Sequence, residues 1–371
     1  MTSQADAVTT LLRQLCVIEL EQHHVESILE NTAAINDWDM LVHQAEIHGL
    51  SNLVYHHLIN LGVEIPAIAK TQFMALKARH RRANRARHKS LEEILEKFSE
   101  RGLASVILKG AALVHLIYPS PEMRPMSDID ILVKGAEAND AQQCLRDIGF
   151  RAGVHQTGFL ADHHHLPIAS KTENGIGLQI EIHHDALSGD VVGSIRLDAE
   201  HAPLQRFTVG QQSAWALGHT DMLRHLCHHT FEPVENIKLG AVADLYGYAC
   251  KYYTQLDKDE IAEKHPYVLN IFTLLHYLSP LPRLLQEWIK PPTAPAPSDV
   301  GKGYIPMSKT ITEHKNIIAR VKHLVNAPDW WLHGFYNIDP ENSLVWTRWV
   351  SHPLQVTQWV YRRIRARSAS P

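Results

Sequence analysis

The stretch SDIDILV, residues 127–133, sets two carboxylates into an otherwise apolar run. Side chains alternate faces along a strand, so Asp128, Asp130 and Leu132 point one way and Ile129, Ile131 and Val133 the other. Aliphatic residues on both faces predict a buried strand, and an unpartnered carboxylate is expensive to bury. The two aspartates stand about 6.6–7 Å apart at Cα, close enough to repel each other. A divalent cation removes that conflict, because Mg²⁺ takes carboxylate oxygens in octahedral geometry and keeps places for water and phosphates. A plain turn cap at a strand start is the competing reading. A second run, LQIEIHH at 178–184, has Leu178, Ile180 and Ile182 on one face and Gln179, Glu181 and His183 on the other. If the two strands are neighbours, Asp128, Asp130 and Glu181 meet around one or two metal ions.

Upstream, LASVILKG at 103–110 predicts a short strand, and GAALVHLIY a helix stopped by Pro119 and Pro121. A helix N-terminus presents backbone N–H groups to phosphate, Gly110 allows close backbone approach, and Lys109 or Arg124 adds positive charge. Downstream, ANDAQQCLRDIGF predicts a helix closed near Gly149, and Asn174-Gly175 a hairpin turn. Residues 102–190 therefore read as a small α/β core. The periodicity of residues 1–101 predicts helices, with a turn at Gly49 and a helix end at Gly62. Residues 191–289 read as a second helical domain, 290–304 as a Pro-rich linker or loop, and 305–371 as a C-terminal helical segment rich in aromatic and basic residues. The expected fold class is α+β: a mixed β-sheet core flanked by helical regions. The helical arms are expected to wall the cleft, since so small a core cannot bury two substrates alone.

The 371 residues carry a formal net charge of −4, with 45% apolar and 20% charged residues. That balance fits a soluble globular chain and argues against long nucleic acid as partner. No secretory signal or membrane span is read, and Cys16, Cys144, Cys227 and Cys250 show no C-x-x-C spacing, so a cytoplasmic setting is expected. The run from Lys77 to Lys89 holds seven Lys or Arg residues and reads as a solvated helix face. The 26 histidines, including the run His163–His165, follow no H-E-x-x-H or similar ligand spacing and read as ordinary surface and core residues.

LKG at 108–110, RPMSDIDILV at 124–133 and EIH at 181–183, in that order, resemble the bacterial uncharacterised nucleotidyltransferase family of the DNA polymerase β-like superfamily. HGLSNLVYHHL upstream and ADLYGYA downstream extend the likeness over about residues 35 to 255. The resemblance implies transfer of an NMP from an NTP, with ATP expected, to a hydroxyl-bearing acceptor with release of pyrophosphate, assisted by Mg²⁺ or Mn²⁺. It implies Asp128, Asp130 and Glu181 as catalytic metal ligands, and Lys109, Gly110, Arg124 and Ser127 as nucleotide-binding residues. His183 is a candidate to support the ligands from behind, and Asp244 reads as a helix-packing residue. Ala111 stands where many superfamily members carry a phosphate-binding Ser or Gly. The expected partners are a nucleoside triphosphate and a small molecule, sugar, peptide or protein acceptor. A non-catalytic, antitoxin-like interaction protein that keeps the fold is the alternative.

The C-terminus combines Leu354, Val356, Trp359, Val360 and Ile364 with Arg362, Arg363, Arg365 and Arg367. The favoured reading is a final helix whose tryptophans, Trp359 among them, pack on the protein. An interfacial membrane helix is the competing one.

Overall fold

The computed structural model describes residues 4–153, 160, 163–187, 193–199, 201–231, 237–289 and 326–358. The chain divides into two compact units, Met1–His229 with Lys238–Lys258, and Thr230–Ile237 with Asp259–Pro371. The divisions expected at residues 101 and 190 fall inside the first unit. The expected linker at 290–304 lies outside the described residues, as does Trp359.

The first unit opens with α1 (Gln4–Leu15), α2 (Val25–Ala33), α3 (Trp38–Ile47) and α4 (Ser51–Asn60). The Asp37 carboxylate accepts from the Met40 N–H and caps α3. Gly49, at φ +70°, ends it in the left-handed conformation that glycine adopts without strain. The helix α5 (Ala67–Glu100) is 34 residues long. His80, Asn84, Arg87, Leu91, Ile94 and Phe98 are buried along it at alternating spacings of four and three, one stripe down one face. Most of its basic run is exposed as expected, but Arg87 is not.

After α5 come β1 (Ser105–Ile107), α6 (Lys109–Leu116), β2 (Ile129–Val133), α7 (Ala138–Asp147), β3 (Arg151–Ala152), β4 (Ala169–Glu173) and β5 (Ile176–His183). Asn174 and Gly175, both at positive φ, join β4 to β5. β6 (Gln205–Val209) and β7 (Gln212–Ala216) follow, then α8 (His219–Phe231) and α9 (Leu239–Lys251). The seven strands form one sheet in the order β3-β4-β5-β2-β1-β7-β6. β2 runs parallel to β5 and β1 parallel to β7, and the remaining pairs are antiparallel. The fold is α+β with a mixed sheet.

The hairpin β6–β7 corrects the reading of residues 191–289 as helical throughout. Its strands have only five residues each, too few for the alternation of exposed Arg206, Thr208 and Trp215 with buried Val209, Ala214 and Ala216 to stand out. What fixes them as strands is pairing, through Ile107 opposite Ala216 in β1 and β7.

The second unit contains α11 (Tyr267–Leu278), a short α12 (Arg283–Gln286) and α13 (Asp329–Phe335), after α10 (Lys258–Lys264), which begins at the division. Residues 345–358 form a last helical segment with a π-turn at Thr347–Ser351. Among the described residues no helix is long and apolar enough to cross a membrane.

Candidate active site

β2 and β5 lie side by side in parallel register, with Asp130 opposite Glu181 and Leu132 opposite His183. Register and pleat therefore put Asp130, Glu181 and His183 on one face, with Asp128 one step before the strand on the same face. Ile129, Ile131, Ile180 and Ile182 fill the other face and are almost fully buried. Burial of this second face is what leaves the carboxylates no choice of side.

Asp130 is the centre of the group. Its Oδ1 accepts from Lys109 Nζ at 3.0 Å and from His183 Nε2 at 3.0 Å. His183 Nε2 also lies 3.4 Å from Glu181 Oε2. A carboxylate can only accept here, so Nε2 carries the proton. Burial alone would raise the Asp130 pKa, but Lys109 and His183 outweigh it and hold this carboxyl well below the usual carboxylate range. Burial works against a charged His183, and its bonds to Asp130 and Glu181 lift its pKa above the ordinary value. For Asp128 the balance runs the other way: burial and the neighbouring Asp130 charge push its carboxyl up. Ser127 Oγ donates to Asp128 Oδ1 at 3.0 Å.

Lys109, the first residue of α6, has φ +45°, a left-handed conformation that costs a non-glycine residue of order 1 kcal/mol or more. The Lys109–Asp130 ion pair, with Lys109 largely and Asp130 almost wholly buried, holds the chain there.

Arg124 and Gly110 lie against each other, and Arg124 is bonded to Asp244. The Arg124 guanidinium donates Nε and Nη2 to the Asp244 carboxylate at 2.6–2.9 Å, and Nη1 to the Pro125 carbonyl at 3.3 Å. Tyr118 Oη donates to Asp244 Oδ1 at 2.7 Å. Burial opposes the Arg124 charge, Asp244 more than offsets that, and the guanidinium pKa rises. A Cβ on Gly110 would collide with this guanidinium, so the glycine makes room for Arg124. Ala111 is buried at the same place.

Three residues that the sequence did not single out complete the surroundings. Asn84 of α5 donates through Nδ2 to the carbonyls of Pro121 and Arg124, both at 2.8 Å. Arg87, one turn on, donates Nε and Nη2 to the Ser127 carbonyl at 3.3 and 3.1 Å. Its Nη1 is buried without a hydrogen-bond partner. These bonds tie down the segment that delivers Asp128. From α8, the buried His225 donates Nδ1–H to the Ala186 carbonyl at 2.7 Å. Burial, with the nearby Lys109 charge, holds its pKa well below the ordinary value. The four-three stripe of α5 was the available clue to Asn84 and Arg87; for His225 none existed, because α8 joins the sheet only through tertiary packing.

The donor atoms of Asp130, Glu181 and His183 lie within 4.8 Å of one another. The His164 and His165 rings sit 5.4 and 5.3 Å from that of His183, so part of the 163–165 run backs this cluster. A second group of possible donors, Glu21, His23 and His24, is more open to solvent.

The family described as "Uncharacterised nucleotidyltransferase" matches residues 35–280. The chain belongs to that family and is a nucleotidyltransferase. No curated protein matches. Among solved structures the nucleotidyltransferase is similar to ANT(2'')-Ia in complex with adenylyl-2''-tobramycin, with 13% identity and a TM-score of 0.35 over 49% of this chain and 97% of that one. A solution structure of ANT(2'')-Ia gives 13% identity and a TM-score of 0.35, covering 52% and 97%. An antigenic nucleotidyltransferase-like protein from Paracoccidioides brasiliensis gives 15% and 0.31, covering 51% and 93%.

Proposed function

We propose that this nucleotidyltransferase moves an NMP from an NTP, with ATP the expected donor, onto an acceptor hydroxyl and releases pyrophosphate, in a cytoplasmic setting with Mg²⁺ or Mn²⁺. The observation that carries the reading is the register of β2 on β5, which brings Asp128, Asp130 and Glu181 to one face. Two of the three groups whose donor atoms lie together, Asp130 and Glu181, are carboxylates, which suits a hard divalent cation, and Asp128 nearby carries a charge that burial and Asp130 disfavour. When bound, the ion held by Asp128, Asp130 and Glu181 would neutralise phosphate charge and polarise the acceptor hydroxyl.

The protein's own groups supply the rest. Lys109 and His183 keep Asp130 ionised and fix its Oδ1. Asn84 and Arg87 hold the approach to Asp128 from α5, and Ser127 orients its carboxylate. The acceptor oxygen attacks the α-phosphorus, the bond to the bridging oxygen breaks, pyrophosphate leaves, and the acceptor proton passes to the Glu181 carboxylate. Lys109 and Ser127, bonded here to Asp130 and Asp128, are the side chains we assign to the triphosphate. Arg124 supports the site through the chain it braces. The acceptor, a small molecule, sugar, peptide or protein, is defined only as a hydroxyl.

Tag-free protein incubated with each labelled NTP, Mg²⁺ or Mn²⁺ and pools of candidate acceptors should release pyrophosphate and label one pool. Loss of both in Asp128→Asn is expected. Release that survives in this variant would refute the assignment, and no nucleotide binding in the wild type would favour a non-catalytic role.

A further inference from the structure

The connection between α1 and α2 carries Glu21, His23 and His24, with both histidines in a single 3₁₀ turn, Gln22–His24. Successive residues of a 3₁₀ turn point about 120° apart, yet these two rings lie 3.9 Å apart between centres. Each brings a nitrogen close to the same carboxylate oxygen: His23 Nε2 is 3.8 Å and His24 Nδ1 3.7 Å from Glu21 Oε2. All three donor atoms fall within 4.8 Å of one another. The side chains of Glu21, His23 and His24 are 30%, 50% and 35% exposed, so an ion in solvent can reach them.

The two nitrogen–oxygen distances are too long for hydrogen bonds, and an exposed ion pair at that range gains little. They are a few tenths of an ångström beyond the spacing of about 3.3 Å between ligand atoms around a tetrahedral zinc ion. Other histidine rings of the chain are held at hydrogen-bond distance by a carbonyl or a carboxylate, as His57, His80 and His225 are. Among the described residues the rings of His23 and His24 have no such bond, so their nitrogens are available to a metal. We propose that Glu21, His23 and His24 form a site for a late first-row divalent cation, with Zn²⁺ the best match and water completing its coordination. Two imidazoles and one carboxylate suit zinc, whereas the carboxylates of the candidate active site suit a harder ion. A bound ion would pin the connection between α1 and α2. The site is separate from the reaction proposed above and does not depend on it.

The test is equilibrium dialysis of the tag-free, metal-stripped full chain against Zn²⁺ in a large excess of Mg²⁺. The wild type should hold zinc at micromolar concentration, and zinc should raise its melting temperature. His23→Gln with His24→Gln should weaken one zinc site at least about tenfold, and Glu21→Gln, which keeps both rings, should weaken the same site. Glu181→Gln should leave that site intact, which separates it from the cluster around Asp130. Cobalt in the same site should give the visible absorption of a four-coordinate ion, without a thiolate charge-transfer band, and lose it in the double variant. The substituted histidines are exposed, so an unchanged melting temperature in chelator and unchanged pyrophosphate release are the controls. Absence of zinc binding overturns the proposal. So does zinc binding that the double variant and Glu21→Gln both keep, or binding at millimolar zinc alone, which would mean an adventitious ion only.

Discussion

Two of the buried carboxylate centres in the first unit, around Asp244 and around Asp130, are built oppositely. Around Asp244 the charges close: one carboxylate, one guanidinium bonded to it through two nitrogens, and a phenol on the same oxygen. Around Asp130 the bonds are uneven: Lys109 and His183 pair with Asp130 and His183 reaches Glu181, while Asp128 takes its bond from the neutral Ser127 hydroxyl and feels the Arg87 charge through space. A closed buried pair holds chain segments in place, whereas a carboxylate bonded to a neutral hydroxyl leaves a place for a cation. The same residue types thus brace the fold in one place and form the candidate site in the other.

The sharpest test of the contrast is Asp128→Asn. Removing the Asp128 charge should lower divalent-dependent pyrophosphate release by about a thousandfold, ~4 kcal/mol of barrier. The melting temperature should hold or rise, because the lost charge is one that burial and Asp130 oppose. A large fall in melting temperature would make Asp128 a structural residue and erase the difference between the centres.

Asp244→Ala should do the reverse. It strands the buried Arg124 and is expected to cost about 3–4 kcal/mol in urea unfolding. Stability within a fraction of that of the wild type would mean that the Asp244 centre is not closed in solution.

Arg87→Met sits between the two. It removes the bonds to the Ser127 carbonyl, and so should weaken divalent-ion affinity and activity about 10–100-fold. It also removes a cation whose charge burial disfavours, so little stability should be lost. Isothermal titration with Mn²⁺ on the purified variant measures the first effect, and unchanged affinity would confine Arg87 to packing.

The smallest effect concerns pH. Burial depresses His57 to about 4, and its Nε2–H donates to the Val17 carbonyl at 2.8 Å. Burial likewise takes His115 to about 4. Between pH ~6.5 and about 4 the unfolded chain binds protons at these positions that the folded chain refuses. Stability should therefore fall as pH drops through that window and level off below it. His57→Gln should flatten the slope by on the order of 1–2 kcal/mol, read from urea midpoints at pH 7 and pH 4.5.

Much of the site was legible in the sequence because β-strand alternation is a local rule. The parity of Asp128, Asp130, Glu181 and His183 follows from position along the chain, and the Asn-Gly turn and helix-ending glycines follow from φ preferences of single residues. Sequence could not supply partners. Whether Arg124 meets phosphate or Asp244, 120 residues away, is a question of which groups the fold brings within 3 Å. Arg87 was hidden among basic neighbours that are solvated, and only the docking of α5 on residues 121–127 singles it out. β6 and β7 are too short to declare themselves without β1 beside them. Composition does not separate the C-terminal tryptophans, yet Trp330 and Trp331 are inside while Trp346 and Trp349 are out. The sequence alone determined the residue types and the faces they share, because periodicity is set by backbone geometry. Tertiary structure decided which charges are neutralised and which apolar faces stay bare, because both depend on contacts between segments far apart in the chain.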